Sequence, residues 1–547
     1  MSDATTVRPP RVRGALAGVL AAAAGVLAAE GAAAVLTGVT APVVAVGNRA
    51  VDWTPQPVKE WAIDAFGSAD KAVLIGGVLV TVALLAALAG FLGVRRPRLA
   101  LLGFVLLVAL ASTAMLTDRA ATASPALRLV PVLVLAVVGL GGLAWMLYPL
   151  RRTSPGLAST DPGAPVRPAA DPAGTAKRRL LLSEDMRGQD VPSGLDRRAF
   201  LTAATAVAAA GATGGVMSRT FGGSAAITSR GTLSLPAPAS AAPAIPGAVT
   251  FEVEGLTPYV TPNADFYRVD TALRVPDVPL DGYVLRIHGM VDNPLELTFE
   301  DLLDRRLVER RITLTCVSNQ VGGDLMDNAT WIGVPMRELL EEAGVQSGAD
   351  AVKSTSADDF TAGTPLSVLT DDREALVAIG MNGEPLPLEH GFPVRMVTPG
   401  LYGYVSATKW LVDLEVTRFA HFTAYWTDRG YAAQAPIKTS SRIDVPRSFA
   451  QLSSGDNPVA GVAWSQNRGI DRVEVRVSEG EWQQAELGEE DNANTWRPWR
   501  WQWPAEAGTH RLEVRATDRT GMTQTSRREP IAPDGSTGWH SVTVTVA

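Results

Sequence analysis

The stretch RITLTCVSNQVGGDLMDNATWIGVPMRELLEEAGV, residues 311–345, decides the fold of the second half of the chain. It opens with a short apolar run typical of a buried strand, and PMRELLEEAGV has apolar residues at helical spacing before a glycine. Short strands and helical segments alternate in the same way from residue 250 to about 420. This alternation predicts a mixed α/β domain.

The pattern changes between about residue 430 and residue 547, where DRVEVRVS, HRLEVRATD and WHSVTVTVA alternate polar and apolar residues. Turn residues separate these runs, which is typical of a β-sandwich. The tryptophan-rich run TWRPWRWQWP, residues 495–504, fits the core of such a sandwich and an interface with a second copy. We therefore expect a homodimer through this domain.

The first part of the chain contains four apolar stretches long enough to cross a bilayer as helices, at 14–36, 72–94, 99–117 and 129–150. Arginines cluster before the first stretch, between the second and third, and after the fourth. By the positive-inside rule these three positions are cytoplasmic. The sequence thus predicts a multi-pass plasma membrane protein with a cytoplasmic N-terminus.

Arg197 and Arg198 precede an uncharged, Ala- and Gly-rich stretch from 199 to 217. Paired arginines followed by Phe200 and Leu201 resemble a twin-arginine export signal, and an ordinary stop-transfer flank is the alternative. Either way, a fifth span carries the remainder of the chain to the extracytoplasmic side. Residues 153–195 have a composition that predicts a disordered cytoplasmic linker, and residues 219–248 predict a flexible tether.

Cys316 is the one cysteine of the sequence, which excludes an internal disulfide. A buried cysteine usually acts as a small apolar residue. Here, however, polar residues and a glycine pair follow it directly, which favours a nucleophile or a soft metal ligand. The formal net charge of -7 argues against a nucleic-acid binder.

Several separated blocks resemble the sulfite oxidase family of molybdopterin enzymes, over roughly residues 250–547. They are TPNADFYRVDTAL from 261, LTCVSN from 314, MNGEPLPLEHGFPVRMVTPGLYGYVSATKWL from 381, and GVAWSQNRGIDRVEVRVSEGEWQQAEL from 461. The resemblance implies a molybdenum–molybdopterin cofactor and Cys316 as its metal ligand. It implies catalytic roles for Cys316 and Arg268, and a cofactor-binding set of Asn263, Phe266, Tyr267, Arg268, Cys316, Ser356, His390, Arg395, Gly403, Ser406, Ala407, Thr408 and Lys409. It also implies that the C-terminal sandwich is Ig-like and mediates dimerisation.

The charges in the third block suit this implication. A guanidinium such as that of Arg395 recognises a phosphate in bidentate fashion, and Lys409 supplies a point charge. The alternative for Arg395 is a surface ion pair with Glu389 or Asp413. The alternative for His390 is a turn residue before a glycine.

Two departures from the family leave the substrate open. Members that oxidise sulfite usually carry an arginine five residues after the metal cysteine, where this chain has Val321. They also tend to have a tyrosine before the MNG motif, where this chain has Ile379. Each departure removes a polar partner for a sulfite anion.

All five histidines lie beyond residue 287, so the predicted spans have no histidine pair for a haem. A single cysteine also cannot hold an iron–sulfur cluster. We therefore expect electrons to pass to a separate carrier, a cytochrome or a quinone-linked partner.

The predicted organisation is multi-domain: an α-helical transmembrane bundle, an α/β sulfite-oxidase-type domain, and an Ig-like β-sandwich. The boundaries are 1–152 for the four-helix region, 153–195 for the linker, 196–218 for the signal or fifth helix, 219–248 for the tether, 249–425 for the molybdopterin domain and 426–547 for the sandwich. The predicted function is extracytoplasmic oxygen-atom transfer to or from a small, sulfur-containing substrate. A metal-free surface binding protein and a cysteine hydrolase with His390 as base are the alternatives.

Overall fold

The computed structural model describes residues 11–36, 39–55, 58, 61, 66, 70–118, 123–152, 201–209, 211–213, 216 and 225–547. The predicted linker and the Arg197–Arg198 pair lie outside these residues. The chain divides into two compact units, Met1–Gly223 and Ser224–Ala547. Each unit has its own hydrophobic core.

The first unit contains α1 (Arg11–Ala34), α2 (Pro42–Trp53), α3 (Asp70–Gly93), α4 (Pro97–Thr117) and α5 (Pro125–Arg152). Four of these helices, all except α2, are long and apolar enough to cross a membrane. The apolar helix Leu201–Thr213 is shorter than those four. Small residues bring α1 and α3 close together, since a Cβ atom on Gly18 would lie 1.9 Å from the carbonyl oxygen of Ala86.

Helix α2 lies between the first two predicted apolar stretches, 14–36 and 72–94, where the sequence analysis predicts no helix. Pro42 is at its start, where its fixed φ suits the first helical turn. At 12 residues α2 is too short to span a bilayer, and so it escapes a search for long apolar stretches.

The second unit begins with α6 (Ala225–Thr232), followed by two sheets that share one core. The first sheet has the order β2-β1-β10-β5-β6, and the second has the order β3-β4-β7-β8 with β9 paired to β7. The pair β1–β10 is parallel. The strands are β1 (Val284–Gly289), β2 (Leu295–Thr298), β3 (Val308–Thr315), β4 (Met326–Pro335), β5 (Ala351–Ser356), β6 (Thr361–Pro365), β7 (Leu376–Met381), β8 (Glu384–Pro385), β9 (Arg395–Val397) and β10 (Leu411–Thr417).

Three short helices complete this region: α7 (Phe299–Leu303), α8 (Met336–Ala343) and α9 (Leu366–Thr370). Helix α7 starts with a capping box between Thr298 and Asp301. Helix α8 ends at Gly344, whose φ of 68° is the left-handed conformation that glycine adopts without strain. The apolar face of α8 packs into the core between the two sheets.

The C-terminal region consists of two further sheets with the orders β11-β13-β17-β16 and β12-β19-β18-β14-β15. Residues of both sheets form one core, including Trp499 and Trp503 of the tryptophan-rich run. The strands are β11 (Ser440–Val445), β12 (Gln451–Leu452), β13 (Gly455–Trp464), β14 (Ile470–Val477), β15 (Gln483–Gln484), β16 (Glu486–Leu487), β17 (Arg497–Ala505), β18 (Gly508–Asp518) and β19 (His540–Val546).

Residues 225–248 differ from the flexible tether predicted over 219–248. Helix α6 is held by Arg230, which donates hydrogen bonds to the carbonyl oxygens of Leu386 and Pro385. Further on, the chain runs beside β3, where the N–H of Glu309 donates to the carbonyl of Ser240 at 2.8 Å. An edge strand thus supplies the hydrogen bonds that a Pro- and Ala-rich segment cannot make within itself.

Candidate functional site

Cys316 follows the last residue of β3, where the strand leaves the sheet. Its backbone N–H donates to the carbonyl of Leu325, and its own carbonyl accepts from the N–H of Asn319. The side chain is 8% exposed, and the Sγ atom accepts a hydrogen bond from the N–H of Ser318 at 3.4 Å. Burial raises the pKa of the Cys316 thiol, opposed by hydrogen bonds from Ser318 and the charge of Lys409.

The loop after Cys316, residues 317–323, is held by the C-terminal region. The Oγ of Ser536 donates to the carbonyl of Asn319 at 2.7 Å. The Nη1 of Arg442 donates to the carbonyl of Gly323 at 2.8 Å. The two-sheet C-terminal region therefore fixes the backbone that positions the thiol.

Gly322 in this loop lies against the ring of His540. A Cβ atom at Gly322 would be 2.1 Å from the His540 Cδ2 atom, and the glycine φ is 83°. The His540 Nδ1 accepts from the N–H of Ile443 at 3.0 Å, and burial lowers the pKa of His540 to about 4. The neutral imidazole of His540 thus packs directly against the Gly322 backbone and leaves no space for a side chain at residue 322.

A cavity of about 870 Å³, including the part open to solvent, extends from Cys316 to the surface. A concave site lined mainly by apolar and aromatic side chains, with a few polar groups among them, is typical of small-molecule and cofactor sites. Its lining residues are Phe266, Tyr267, Val269, Asp270, Thr271, Leu314, Cys316, Val317, Ser318, Ser356, Asp358, Phe360, His390, Arg395, Gly403, Tyr404, Ala407, Lys409, Trp410, Trp426 and Tyr431.

Most of the residues predicted from the sequence line this cavity. They come from four separated parts of the chain and are Phe266, Tyr267, Cys316, Ser356, His390, Arg395, Gly403, Ala407 and Lys409. The folding of the second unit therefore brings together groups that lie more than 100 residues apart in sequence.

Four predicted residues, Asn263, Arg268, Ser406 and Thr408, lie outside the lining and support it instead. The Ser406 hydroxyl donates to the carbonyls of Leu401 and Tyr402. The Thr408 hydroxyl bonds that of Ser354 at 2.7 Å. These buried hydroxyls are used within the protein, so we expect Ser406 and Thr408 to contribute to a ligand through the backbone only.

Asn263 and Arg268 also have protein partners. The Asn263 side-chain amide donates a hydrogen bond to Glu384 at 2.6 Å. The backbone carbonyl oxygen of Asn263 lies 3.1 Å from the Nε2 atom of His390. The Arg268 Nε donates to Asp270 at 2.9 Å, and the Arg268 side chain is 37% exposed. Arg268 is thus at the edge of the site, where it shares the Asp270 carboxylate with Lys409.

Arg395 is a buried cation without a carboxylate within 4.0 Å in the described part of the chain. Its guanidinium donates to the carbonyls of His390 at 3.0 Å and Ala407 at 3.4 Å. The same group lies 4.9 Å from the ring centroid of Trp331. Burial lowers the pKa of Arg395 to about 10, because the charge loses water and gains no anion.

This geometry rules out the predicted alternative for Arg395, an ion pair at the surface with Glu389 or Asp413. Asp413 instead pairs with Arg286 and His288. A buried guanidinium that opens into a cavity without a counter-ion is a site for an anionic ligand.

Lys409 is the second cation of the cavity. Its Nζ lies 2.6 Å from Asp270 and donates to the carbonyl of Glu389 at 3.0 Å. Burial lowers the pKa of Lys409 to about 8, and Asp270 opposes this shift. Asp270 therefore pairs with both Lys409 and Arg268, and its single negative charge balances one of these two positive charges.

His390 and two aromatic residues form a wall next to Arg395. The ring of Phe266 is stacked on that of Tyr267 at 5.3 Å and meets the His390 ring edge-on at 5.4 Å. Burial, together with the charge of Arg395, lowers the pKa of His390 to about 4. His390 ends a 3-10 turn as well, so the turn predicted as its alternative role is also present.

Sequence reasoning missed the acidic and aromatic lining. Asp270 and Asp358 lack a motif, although Asp270 is within the quoted block at 261–273. Phe360, Trp426 and Tyr431 come from loops whose proximity only the fold reveals. Ile379 lies in the core between the sheets and away from the cavity, so its identity does not remove a hydroxyl from the site.

The hydrolase alternative lacks its base in this geometry. Within the described residues, the Cys316 sulfur bonds Ser318 and no imidazole, while His390 Nε2 is directed to the Asn263 carbonyl. The described residues also contain no group of three or more His, Cys, Asp or Glu side chains able to hold a metal.

Comparisons with known proteins agree with this site. Residues 272–426 match the family model of the oxidoreductase molybdopterin binding domain. Human mitochondrial sulfite oxidase is 31% identical over 343 residues, which cover 53% of this chain and 62% of that protein. The uncharacterized oxidoreductase YuiH of Bacillus subtilis is 35% identical over 176 residues, which cover 31% of this chain and 85% of that protein.

Among solved structures, the sulfane dehydrogenase SoxCD from Paracoccus pantotrophus aligns with a TM-score of 0.47 and 23% identity, covering 53% of this chain and 84% of that one. This chain spans 62% of the length of the mammalian sulfite oxidases that it matches.

Proposed function

Because the chain belongs to the sulfite oxidase family of molybdopterin-dependent oxidoreductases, we propose that it is a membrane-anchored, extracytoplasmic enzyme that transfers an oxygen atom to or from a small sulfur-containing substrate. Electrons pass to a separate carrier, a cytochrome or a quinone-linked protein. The observation that carries the proposal is that buried Arg395 lines the same cavity as the Cys316 sulfur and, among the described residues, has no carboxylate within 4.0 Å.

The residues present fit a molybdenum–molybdopterin cofactor. Cys316 offers a soft sulfur ligand at the wall of the cavity. Arg395 offers a guanidinium in need of an anion, which the phosphate of the pterin supplies. When bound, the cofactor provides the two-electron redox chemistry and the exchangeable oxygen atom.

The protein groups around this site set the protonation state of Cys316 and the orientation of the His390 ring. Cys316 would hold the metal as a thiolate, although burial stabilises the neutral thiol in the absence of metal, and the Ser318 N–H donates a hydrogen bond to the sulfur. His390 remains neutral at physiological pH because its pKa is about 4, so its Nε2–H donates to the Asn263 carbonyl and fixes the ring. The wall beside Arg395 is thereby rigid before any ligand binds.

The four long apolar helices support the proposed anchoring, and the arginine clusters support a cytoplasmic N-terminus. A pterin cofactor loaded in the cytoplasm requires a domain that folds before export, and the twin-arginine route carries folded cargo. This requirement supports Arg197 and Arg198 as part of an export signal. It also supports the boundaries given above for the linker, the signal and the molybdopterin domain.

The two sheets of residues 440–547 support an Ig-like sandwich, and we propose that it mediates a homodimer. Trp496 and Trp499 are buried within the chain, and Trp501 is half-buried and available for a contact. Light scattering of the detergent-solubilised protein tests this point, and a monomeric mass over the micromolar range would contradict it.

Metal analysis of the purified full-length protein tests the enzyme. We expect about one molybdenum atom per chain, lost in Cys316→Ser and retained in His288→Gln, whose exposed imidazole lies away from the cavity. A parent protein without molybdenum would favour the metal-free binding protein. Loss of activity with iodoacetamide in a metal-free protein would favour the hydrolase.

A further inference from the structure

We infer that Asp327 is a positioning residue of the cavity, because its carboxylate holds the turn 261–267 and so sets where Phe266 and Tyr267 stand beside Arg395. The inference deepens the proposed function and rests on it for the identity of the ligand. Asp327 itself is absent from the cavity lining and would act on a ligand only through these two aromatic residues.

The Asp327 carboxylate contacts both ends of this turn. Its Oδ1 accepts a hydrogen bond from the Thr261 hydroxyl at 3.0 Å, and its Oδ2 accepts one from the backbone N–H of Tyr267 at 2.6 Å. Asp327 lies in β4 opposite Leu314 of β3, and Leu314 lines the cavity. The carboxylate therefore joins the turn to the pair of strands behind the cavity.

The two ends of the turn do not depend on Asp327 to the same extent. The Thr261 N–H also donates to the carbonyl of Asn328 at 2.8 Å, and the Asn382 side-chain amide donates to the carbonyl of Thr261 at 2.9 Å. The Tyr267 N–H donates to Asp327 and has no backbone acceptor among the described residues. The position of Tyr267 thus depends mainly on the carboxylate.

Asp327 holds the turn although it has no cationic partner. It is 7% exposed, and within the described part of the chain it forms no ion pair. Burial raises the pKa of Asp327 to about 6, and the like charge of Asp324 adds to this shift. Hydrogen bonds from Tyr267 and Thr261 oppose the shift. The charge of Arg442 also opposes it, but that guanidinium bonds a different carboxylate at 2.6 Å. The hydrogen bonds from the turn are therefore the main stabilising contacts of this buried charge.

The turn that Asp327 holds lies at the surface, since residues 262–265 are mostly exposed. Its last two residues, Phe266 and Tyr267, line the cavity together with Arg395. A surface turn released from its contact opens locally at low cost, and the wall beside Arg395 would then lose its fixed position. A ligand phosphate bound there would lose part of the rigid surroundings that hold it.

The contact responds to pH with a defined sign. The hydrogen bond from Tyr267 lowers the pKa of Asp327, so breaking it while the carboxylate stays buried in β4 raises that pKa further. A proton therefore binds more tightly when the contact is broken. Acidification through about pH 6 should accordingly favour release of the turn.

Amide hydrogen exchange of the cofactor-free, full-length protein in detergent tests this hold. At pH 7.5 we expect residues 264–268 of Asp327→Asn to exchange about tenfold faster than in the parent, because an amide oxygen is a weaker acceptor than a carboxylate. In the parent, exchange corrected for the intrinsic rate should rise by a similar factor between pH 7.5 and pH 5, whereas in the variant it should not change. The pH comparison needs no variant, so it decides the point even where Asp327→Asn does not fold.

Asp301→Asn is the matched control. Asp301 also accepts a backbone N–H, that of Thr298 at 2.8 Å, but it lies in α7 and outside the cavity lining. We expect this variant to leave exchange in residues 264–268 unchanged. In the molybdenum-loaded protein, metal analysis during dialysis should show release about tenfold faster for Asp327→Asn and at the parent rate for Asp301→Asn.

Unchanged exchange of residues 264–268 in both comparisons overturns the inference. Equally faster exchange throughout β3 and β4 overturns it as well, since Asp327 would then support the fold as a whole. Faster exchange of the turn with an unchanged rate of molybdenum release also overturns it, because the turn would not position the ligand. A parent without molybdenum refutes the proposed function, whereas exchange of the cofactor-free protein still decides whether Asp327 holds the turn.

Discussion

Replacing Arg395 by methionine separates a functional buried charge from a structural one. Methionine is of similar length and apolar, so it fills the volume of the side chain beneath Trp331 without the charge. In the cofactor-free protein we expect the free energy of unfolding of Arg395→Met to stay within about 1 kcal/mol of the parent. In the loaded protein we expect most of the molybdenum to be lost.

The expected balance follows from two opposing contributions. Burial lowers the pKa of Arg395 from its usual range to about 10, which corresponds to a cost of about 3 kcal/mol for the buried charge. At neutral pH, below both values, this cost is fully present, so removing the charge recovers it. Against this, the variant loses hydrogen bonds to His390, Met396 and Ala407, each contributing about 1 kcal/mol.

Arg311→Met is the matched control. Arg311 is similarly buried, but its Nη2 lies 2.8 Å from Asp491, whose side chain is 2% exposed. Removing Arg311 leaves that carboxylate buried and unpaired, which typically costs about 3–5 kcal/mol. Chemical denaturation of the cofactor-free protein measures both variants, and metal analysis of the loaded protein measures retention.

The outcome that refutes the reasoning is an equal loss of stability in the two variants. Arg395 would then be a structural residue, and its lack of a carboxylate partner would not indicate an anion site. Full retention of molybdenum in Arg395→Met would separately contradict the phosphate contact.

Three further predictions concern the residues around the site. Because burial lowers the pKa of His390 to about 4, the unfolded chain binds a proton at this histidine before the folded protein does as pH falls below 6.5. Between pH 7.5 and pH 5 the parent should therefore lose about 2 kcal/mol more unfolding free energy than His390→Gln, as measured by denaturation at both pH values. Arg442→Met should lower the free energy of unfolding by about 3–5 kcal/mol, because the Asp444 carboxylate loses its partner. Amide hydrogen exchange should become faster in residues 317–323, and unchanged exchange there would contradict the proposed role of Arg442 in holding this loop. Gly322→Ala should lower the free energy of unfolding by about 2–4 kcal/mol, because residue 322 has a positive φ and its new Cβ atom would clash with the His540 imidazole. Adding His540→Ala should recover part of this loss in a double-mutant cycle, and additive losses would rule out the contact.

The sequence predicts elements well where the hydrophobic period and the breakers agree. PMRELLEEAGV has both an apolar face and a terminal glycine, and the structure ends α8 at that glycine. The segment 225–248 is the contrasting case. Its composition predicts a flexible tether, because composition does not indicate that the segment packs against the edge of β3. Local pattern specifies an element's own hydrogen bonds, whereas partners from distant strands come from the fold.

The same distinction applies to the site. Cys316, His390, Arg395 and Lys409 stand in recognisable blocks, and the fold places all of them on one cavity. Phe360 has no such block, because an aromatic lining depends on which loops meet and not on spacing within a loop. Side-chain polarity alone is also a poor guide to ligand binding. The hydroxyl of Ser406, although it is part of a family-like block, donates its hydrogen bonds to nearby backbone carbonyls.

The hold of the C-terminal sheets on the Cys316 loop has a consequence for biosynthesis. Ser536 is 217 positions after Asn319, whose carbonyl it holds, so Cys316 leaves the ribosome long before the residue that fixes its loop has been made. A nascent chain therefore presents an incomplete receptor to the cellular machinery that inserts the cofactor. We therefore expect cofactor insertion to follow translation and docking of the C-terminal strands, so that the cofactor content of the protein would measure how much of residues 225–547 has folded completely.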